Sequence, residues 1–150
     1  MIDFIDYKDP NITLIQKQTS ISANIKTTSS IEIFGMVEGN IEAEGLASIY
    51  GKINGNIDAR DFIAREESNI IGNIQLTYDG LISKNASVQG NVTCKNLEIY
   101  GSVQGNLKIE GSLIIRGNAN ILGDITCQSL VVDEGARING NVKLLYQFYK

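Results

Sequence analysis

The 150-residue sequence predicts an all-β fold. The expected architecture is a single-stranded β-helix, a β-solenoid, of about eight coils of 15–18 residues around a continuous hydrophobic core. Three observations predict it. A phrase of the form aliphatic–any–Gly–Asn–aliphatic recurs along the chain. Its copies start at Val37, Ile53, Ile70, Val88, Val103, Ile121 and Ile138, with Asp124 replacing Asn in one copy and a degenerate first copy at Ile21. Successive starts are 16, 16, 17, 18, 15, 18 and 17 residues apart. That period is too short for a helix–turn–helix repeat and suits one solenoid coil of about three short strands. Ile plus Val number 31 against 19 for Ala plus Leu, which favours strands over helices. Finally, no sustained apolar stripe at i, i+3, i+4, i+7 is present.

Each part of the coil follows from this phrase. Residues of one parity in an extended chain point to one face, so the two aliphatics of each phrase face inward, with the Gly between them. Gly39, Gly55, Gly72, Gly90, Gly105, Gly123 and Gly140 are expected to be corners where the backbone bends close to the core. The Asn beside each Gly is expected to point outward or to support the bend through local backbone bonds. Stacking the copies predicts columns. One runs from Ile21 through Val37 and Ile53 to Ile138, and a second from Ile25 through Ile41 and Ile57 to Val142. A third is read as Ile31, Leu46, Phe62, Leu81, Leu97, Leu113 and Leu130, and a fourth as Thr27, Ala43, Ala59, Leu76, Cys94, Ile109, Cys127 and Leu144. Each buried aliphatic contributes roughly 1.5–3 kcal/mol, so a stack of coils folds where a single coil would not. The extra residues of longer repeats, Arg65-Glu66-Glu67-Ser68 and Tyr78-Asp79-Gly80, are expected to form outward loops. Strand spacing gives a rod roughly 35–40 Å long.

Composition excludes several chemistries. There is no His, so no Ser–His or Cys–His pair, His-ligated zinc or imidazole acid/base can form. A formal charge of −4 without a basic run argues against nucleic-acid binding. No phosphate-loop or dinucleotide-binding glycine motif occurs, so no nucleotide or other cofactor is expected. Cys94 and Cys127 share a column two coils apart, beyond disulfide reach, and read as core residues. The Asn column lacks the carboxylates of calcium-binding solenoids, and the adjacent acids Glu66-Glu67 and Asp133-Glu134 read as solvated charge. No apolar run approaches the ~20 residues needed to span a bilayer, and Met1 to Asp6 is not a signal peptide. The expected compartment is the cytoplasm.

The chain divides into an N-terminal tail, residues 1–11, and a solenoid, residues 12–150. In the tail, Ile2, Phe4 and Ile5 alternate with Asp3 and Asp6, acids that oppose binding to anionic lipid. At the other end Leu144, Leu145, Tyr146, Phe148 and Tyr149 crowd the last coil. A solenoid end exposes unpaired strand edges and open core, so these residues either fold over the end as a cap or, the favoured expectation, form a face onto which another subunit stacks.

These features resemble the bactofilin family. The resemblance rests on the approach from Thr13 to Ile21, the seven Gly-Asn/Asp phrases, and the Gly-rich turns Ile33-Phe34-Gly35 and Ile99-Tyr100-Gly101; it covers about residues 12 to 149. It implies a right-handed β-helix with a triangular hydrophobic core that polymerises end to end without nucleotide, often at the inner membrane, and scaffolds cell-shape or cell-wall machinery, with cell-wall enzymes as implied partners. Hexapeptide-repeat acyltransferases and γ-type carbonic anhydrases are also solenoids, but they look different: strict six-residue periods and catalytic or zinc-binding His. The remaining alternative is a non-catalytic β-solenoid module for binding or adhesion.

Overall fold

The computed structural model describes residues 12–145. Among them are 24 short strands and no helix. They build three eight-stranded sheets in which each strand pairs, in parallel, with the strands three places before and after it. Each coil contributes one strand to each sheet. In the third coil these are Leu46–Ile49 in the first sheet, Lys52–Asn54 in the second and Ile57–Ala59 in the third. Eight such coils stack between Thr13 and Leu144, and the side chains pointing inward from the three sheets form one continuous core. The expected eight-coil solenoid is therefore the fold.

Two predicted columns hold along the stack. Val37 aligns with Ile53, Ile53 with Ile70 and Ile70 with Val88 in the second sheet. Ile41 aligns with Ile57, Ile57 with Ile74 and Ile74 with Val92 in the third. The fourth column also holds, with Thr27 opposite Ala43 and Cys127 opposite Leu144. The third needs correction. Its members are Ile31, Ala47, Phe62, Gly80, Leu97, Leu113 and Leu130. Leu46 and Leu81 sit one residue off the column. The bend between the third and first sheets varies in length, so parity cannot be carried across it, and a leucine beside a small core residue draws the wrong assignment. At Gly80 the missing side chain is made good by neighbours, since a Cβ there would meet Leu76 Cδ1 at 2.9 Å and Leu97 Cδ1 at 3.0 Å. A further inward column, from Ile15 through Ile33, Ile49, Ala64, Ile82 and Ile99 to Ile115 and Val132, was not expected.

The corners differ from expectation in mechanism. The Gly of each phrase does not face the core. A Cβ on Gly55 would press into the carbonyl oxygen of Gly39 in the coil before, and one on Gly72 into that of Gly55. The glycines thus stack along the rod axis, at positive φ, where L side chains are strained. The Asn residues bond between coils rather than locally. Asn40 N–H donates to Asn24 Oδ1 at 2.9 Å, and Asn56 N–H to Asn40 Oδ1 at 2.9 Å. The ladder continues to Asn141, whose N–H donates to Asp124 Oδ1 at 3.0 Å. A carboxylate accepts as well as an amide oxygen does, which is why Asp is tolerated at that rung.

Of the two expected loops, Arg65-Glu66-Glu67-Ser68 is a turn, with Glu67 at φ 65°. The other is not a loop: Asp79–Ile82 is a strand of the first sheet, and the chain bends at Thr77 and Tyr78 instead. The expected N-terminal tail, residues 1–11, lies outside the described residues.

Candidate functional site

The repeat makes every interior coil the same: its edges are paired and its inward side chains are covered on both sides. Only the two ends break this pattern. At one end lie Thr13–Ile15, Ser20–Ser22 and Ile25–Thr27; at the other Ser129–Val132, Arg137–Asn139 and Val142–Leu144. Among the described residues each of these six strands has a neighbour on one side only. Their outer N–H and C=O groups form a template for another strand.

The end at Val142–Leu144 is also bare of core cover. Val132, Val142 and Leu144 belong to inward columns, yet are 44%, 43% and 46% exposed, while their counterparts one coil earlier, Ile115, Ile125 and Cys127, are at 0%, 1% and 0%. Leu145 follows on the same rim and is exposed, with its N–H donating to the Cys127 carbonyl at 2.8 Å. At the opposite end Ile15 is buried, and Ile21 and Ile25 are half-buried. The two ends therefore present different surfaces. Of the residues expected at the contact, Leu144 and Leu145 stand on this exposed end, whereas Tyr146, Phe148 and Tyr149 lie outside the described residues. Val132 and Val142 were missed. The signal was present: the last member of any core column lacks a coil to cover it.

Among the described residues the flank carries a notch of about 400 Å³. Its origin is a difference in turn length. The first and fourth coils pass from the first sheet to the second in longer turns that include Gln18 and Glu67 at positive φ. The second and third coils pass it in the short corners Phe34-Gly35 and Tyr50-Gly51, leaving a gap two coils wide. Phe34 and Tyr50 stack on its floor with ring centroids 4.2 Å apart. Arg65 lies over Tyr50 at 5.3 Å and donates through Nε to Ser48 Oγ at 3.0 Å.

Further along the same edge, Arg116 lies 3.5 Å from the fully buried Glu98 and 3.4 Å from Asp133. Hydrogen bonding to Glu98, with burial and the Glu98 charge, pushes the Tyr100 phenol up from its ordinary value. This cluster is an ion-pair network with no nucleophile in it. The two thiols are no better placed for chemistry. Burial, reinforced by Asp79 and Glu110, raises Cys94 to about 12, and burial also raises Cys127. Neither is a thiolate near neutral pH, as a nucleophile must be. Among the described residues no group of three or more His, Cys, Asp or Glu converges to hold a metal ion.

No curated protein and no solved structure matches the chain. A family model does match. It is described as bactofilin, polymer-forming cytoskeletal, and it covers residues 64–143, just over half of the chain. The matched stretch runs from the end of the first strand of the fourth coil to the last coil, and the coils before it repeat the same three-sheet register. With its stacked Gly-Asn corners and open coil ends, this chain belongs to the bactofilin family of polymer-forming cytoskeletal proteins.

Proposed function

We propose that this protein is a non-catalytic structural subunit that stacks through its coil ends into cytoplasmic filaments without nucleotide. In this reading the filament scaffolds cell-shape or cell-wall machinery at the inner membrane. The single observation that carries the assembly step is the uncovered core at Val132, Val142 and Leu144. A second subunit placed there adds the same coil-on-coil contact that recurs throughout the rod. Leu145, Tyr146, Phe148 and Tyr149 would complete the face.

An adhesive module is the weaker reading. Such a face needs a uniform outward column, and the third sheet instead offers Glu42, Asp58, Gln75, Thr93 and Lys108 in succession.

The test is negative-stain electron microscopy and sedimentation of the purified protein in nucleotide-free buffer. Filaments are expected from the natural sequence. Leu144→Arg and Phe148→Arg each place a charge where stacking would strip its water, so folded monomers or short rods are expected from both. A uniform monomer at high concentration from the natural sequence would sink the assembly reading. Unchanged filaments from both variants would sink the proposed face.

A further inference from the structure

The chain carries the same tetrapeptide, Ile-Asn-Gly-Asn, twice: at residues 53–56 in the third coil and at residues 138–141 in the last. A cation precedes each copy, Lys52 in one and Arg137 in the other. These are the two places where Gly follows Asn; every other Asn is followed by Ile, Leu, Val or Ala. Asn-Gly is chemically labile, because no Cβ crowds the Gly nitrogen as it approaches the Asn side-chain amide. Local sequence therefore gives Asn54 and Asn139 the same intrinsic reactivity. Their places in the rod differ. Lys52–Asn54 is paired on both sides, with Asn54 opposite Glu38 in one coil and Ile71 in the next. Gly55 N–H donates to Ile71 O at 2.9 Å. The same bond runs forward from each earlier Gly-Asn phrase to the coil after it, ending with Gly123 N–H to Asn139 O at 2.9 Å. Gly140 is next in line, and among the described residues its N–H has no acceptor. Arg137–Asn139 is paired on one side alone, with Asn139 opposite Leu122. Asn139 and Gly140 are both exposed.

We propose that Asn139-Gly140 is a site of spontaneous deamidation, open at the bare coil end and closed when a neighbouring coil covers it. The Gly140 nitrogen gives up its proton and attacks Asn139 Cγ. The new N–Cγ bond closes a five-membered imide, the Cγ–Nδ2 bond breaks, and Nδ2 leaves as ammonia with that proton. Water then opens the ring at either carbonyl. The product is aspartate or, with an extra methylene in the main chain, isoaspartate. Water is the only co-reactant. At Asn54 the first step is blocked twice. The attacking nitrogen is tied to Ile71 O, and turning the Asn54 backbone to bring Cγ within reach breaks pairing with two coils. At Asn139 only the Leu122 side has to open, and strands at a free edge open most easily. Isoaspartate lengthens the main chain just before Asn141, the last rung of the Asn ladder, so a following coil would meet a corner out of register. A deamidated subunit thus receives no neighbour, while a neighbour already in place offers Gly140 N–H the acceptor that Asn139 O offers Gly123. That link to filament growth rests on the assembly reading; the reactivity of Asn139 in the free rod does not.

The test is peptide mapping by mass spectrometry after incubation in mildly alkaline, nucleotide-free buffer. The full chain carrying Leu144→Arg, or Phe148→Arg if the first does not fold, serves as the unassembled rod. In it Asn139 should be lost at least about tenfold faster than Asn54, the factor that one or two inter-coil bonds make to local opening. In urea, where no coil exists, the two rates should converge, because the tetrapeptides are the same. Equal rates in the folded rod would overturn the site. So would a preference for Asn139 that persists in urea, since local sequence and not the coil end would then be its cause. The natural sequence is mapped alongside, with its filaments verified by electron microscopy, and Asn139 should react there at close to the Asn54 rate. Filaments in which Asn139 reacts as fast as in the unassembled rod would overturn the shielding. If the natural sequence forms no filaments, the assembly reading fails and the shielding with it, while the two rates in the unassembled rod still decide the site.

Discussion

Gly72→Ala and Gly80→Ala make the same chemical change about half a coil apart, and the structure assigns them opposite severity. Gly72 has φ +149°, a region that costs a non-glycine residue about 1–3 kcal/mol. Its new Cβ would also press into the Gly55 carbonyl. That obstacle is backbone and cannot rotate aside, so the coils must separate locally. Separation lengthens the bonds from Gly55 N–H to Ile71 O at 2.9 Å, Ile57 N–H to Asn73 O at 2.9 Å and Asn73 N–H to Asn56 Oδ1 at 2.9 Å. Each such bond contributes about 1 kcal/mol net. The lost flexibility of the unfolded chain returns about 0.4–1 kcal/mol. The expected loss is about 3–5 kcal/mol, a large part of the ~5–15 kcal/mol that holds a domain folded. At Gly80 the Cβ meets only the ends of Leu76 and Leu97, which can turn away. Mild overpacking of about 1 kcal/mol is offset by a buried methyl of about 0.8 kcal/mol and by the same entropy gain. The expected change is within about 1 kcal/mol of zero. Urea denaturation measures both, in a Leu144→Arg background so that assembly does not add to apparent stability. Equal midpoint shifts for the two variants would refute the claim that the corner glycines are required by the backbone of the preceding coil.

Three further outcomes follow from single side chains. Asn73→Ala removes one rung of the ladder, the acceptor for Asn91 N–H at 2.9 Å, and should cost about 1 kcal/mol in the same denaturation assay; Asn73→Asp should cost less, because it keeps the acceptor as Asp124 does. Cys94 titrates at about 12 when folded against 9.0 as a free thiol. Its folded value is raised, so its contribution is fully present below pH 9 and is lost as pH rises toward 12, by up to about 1.4 kcal/mol per pH unit. Cys94→Ala should flatten the fall of stability over that window, read by thermal melts at pH 8 to 11. Tyr50→Leu keeps bulk but removes the stack on Phe34 and the platform under Arg65, and should lower stability by about 1 kcal/mol.

Most of the coil was legible because the phrase around each Gly has fixed internal spacing. Two inward aliphatics separated by Gly-Asn place one strand before the corner and one after it, in register with the coils on either side. What was illegible lies where spacing varies. The first sheet begins after bends of different length, so Ala47 and Gly80 hold positions that Leu46 and Leu81 seemed to claim. The Asn ladder was illegible for another reason. Its bonds join residues 15 to 18 apart, and only the third dimension shows that an Asn oxygen meets the next coil and not its own. The exposed end was half legible: the crowding of apolar residues after Val142 marked it, but Val132 joined it only once its column was known.

The same repetition that specifies the fold is the ground on which the proposed assembly surfaces lie at its limits. In a solenoid each coil contacts only its neighbours, so stability is a sum of coil and interface contributions. Seven interfaces are satisfied inside the eight-coil stack. At the Val142–Leu144 end the next interface is half made. The strand edges are formed, the Asn ladder has reached Asn141, and three core columns stop at side chains more than two-fifths exposed. In the proposed assembly, a subunit added there would need no new recognition chemistry and no bound ligand, since the surface that receives it is shaped by the same register as every interior coil. Assembly, so proposed, is folding continued between chains. It follows that a substitution weakening one interior interface, such as Gly72→Ala, and one spoiling the end, such as Leu144→Arg, should separate: the first lowers the stability of the coil stack itself, while the second lowers filament length and removes only the stability that assembly adds.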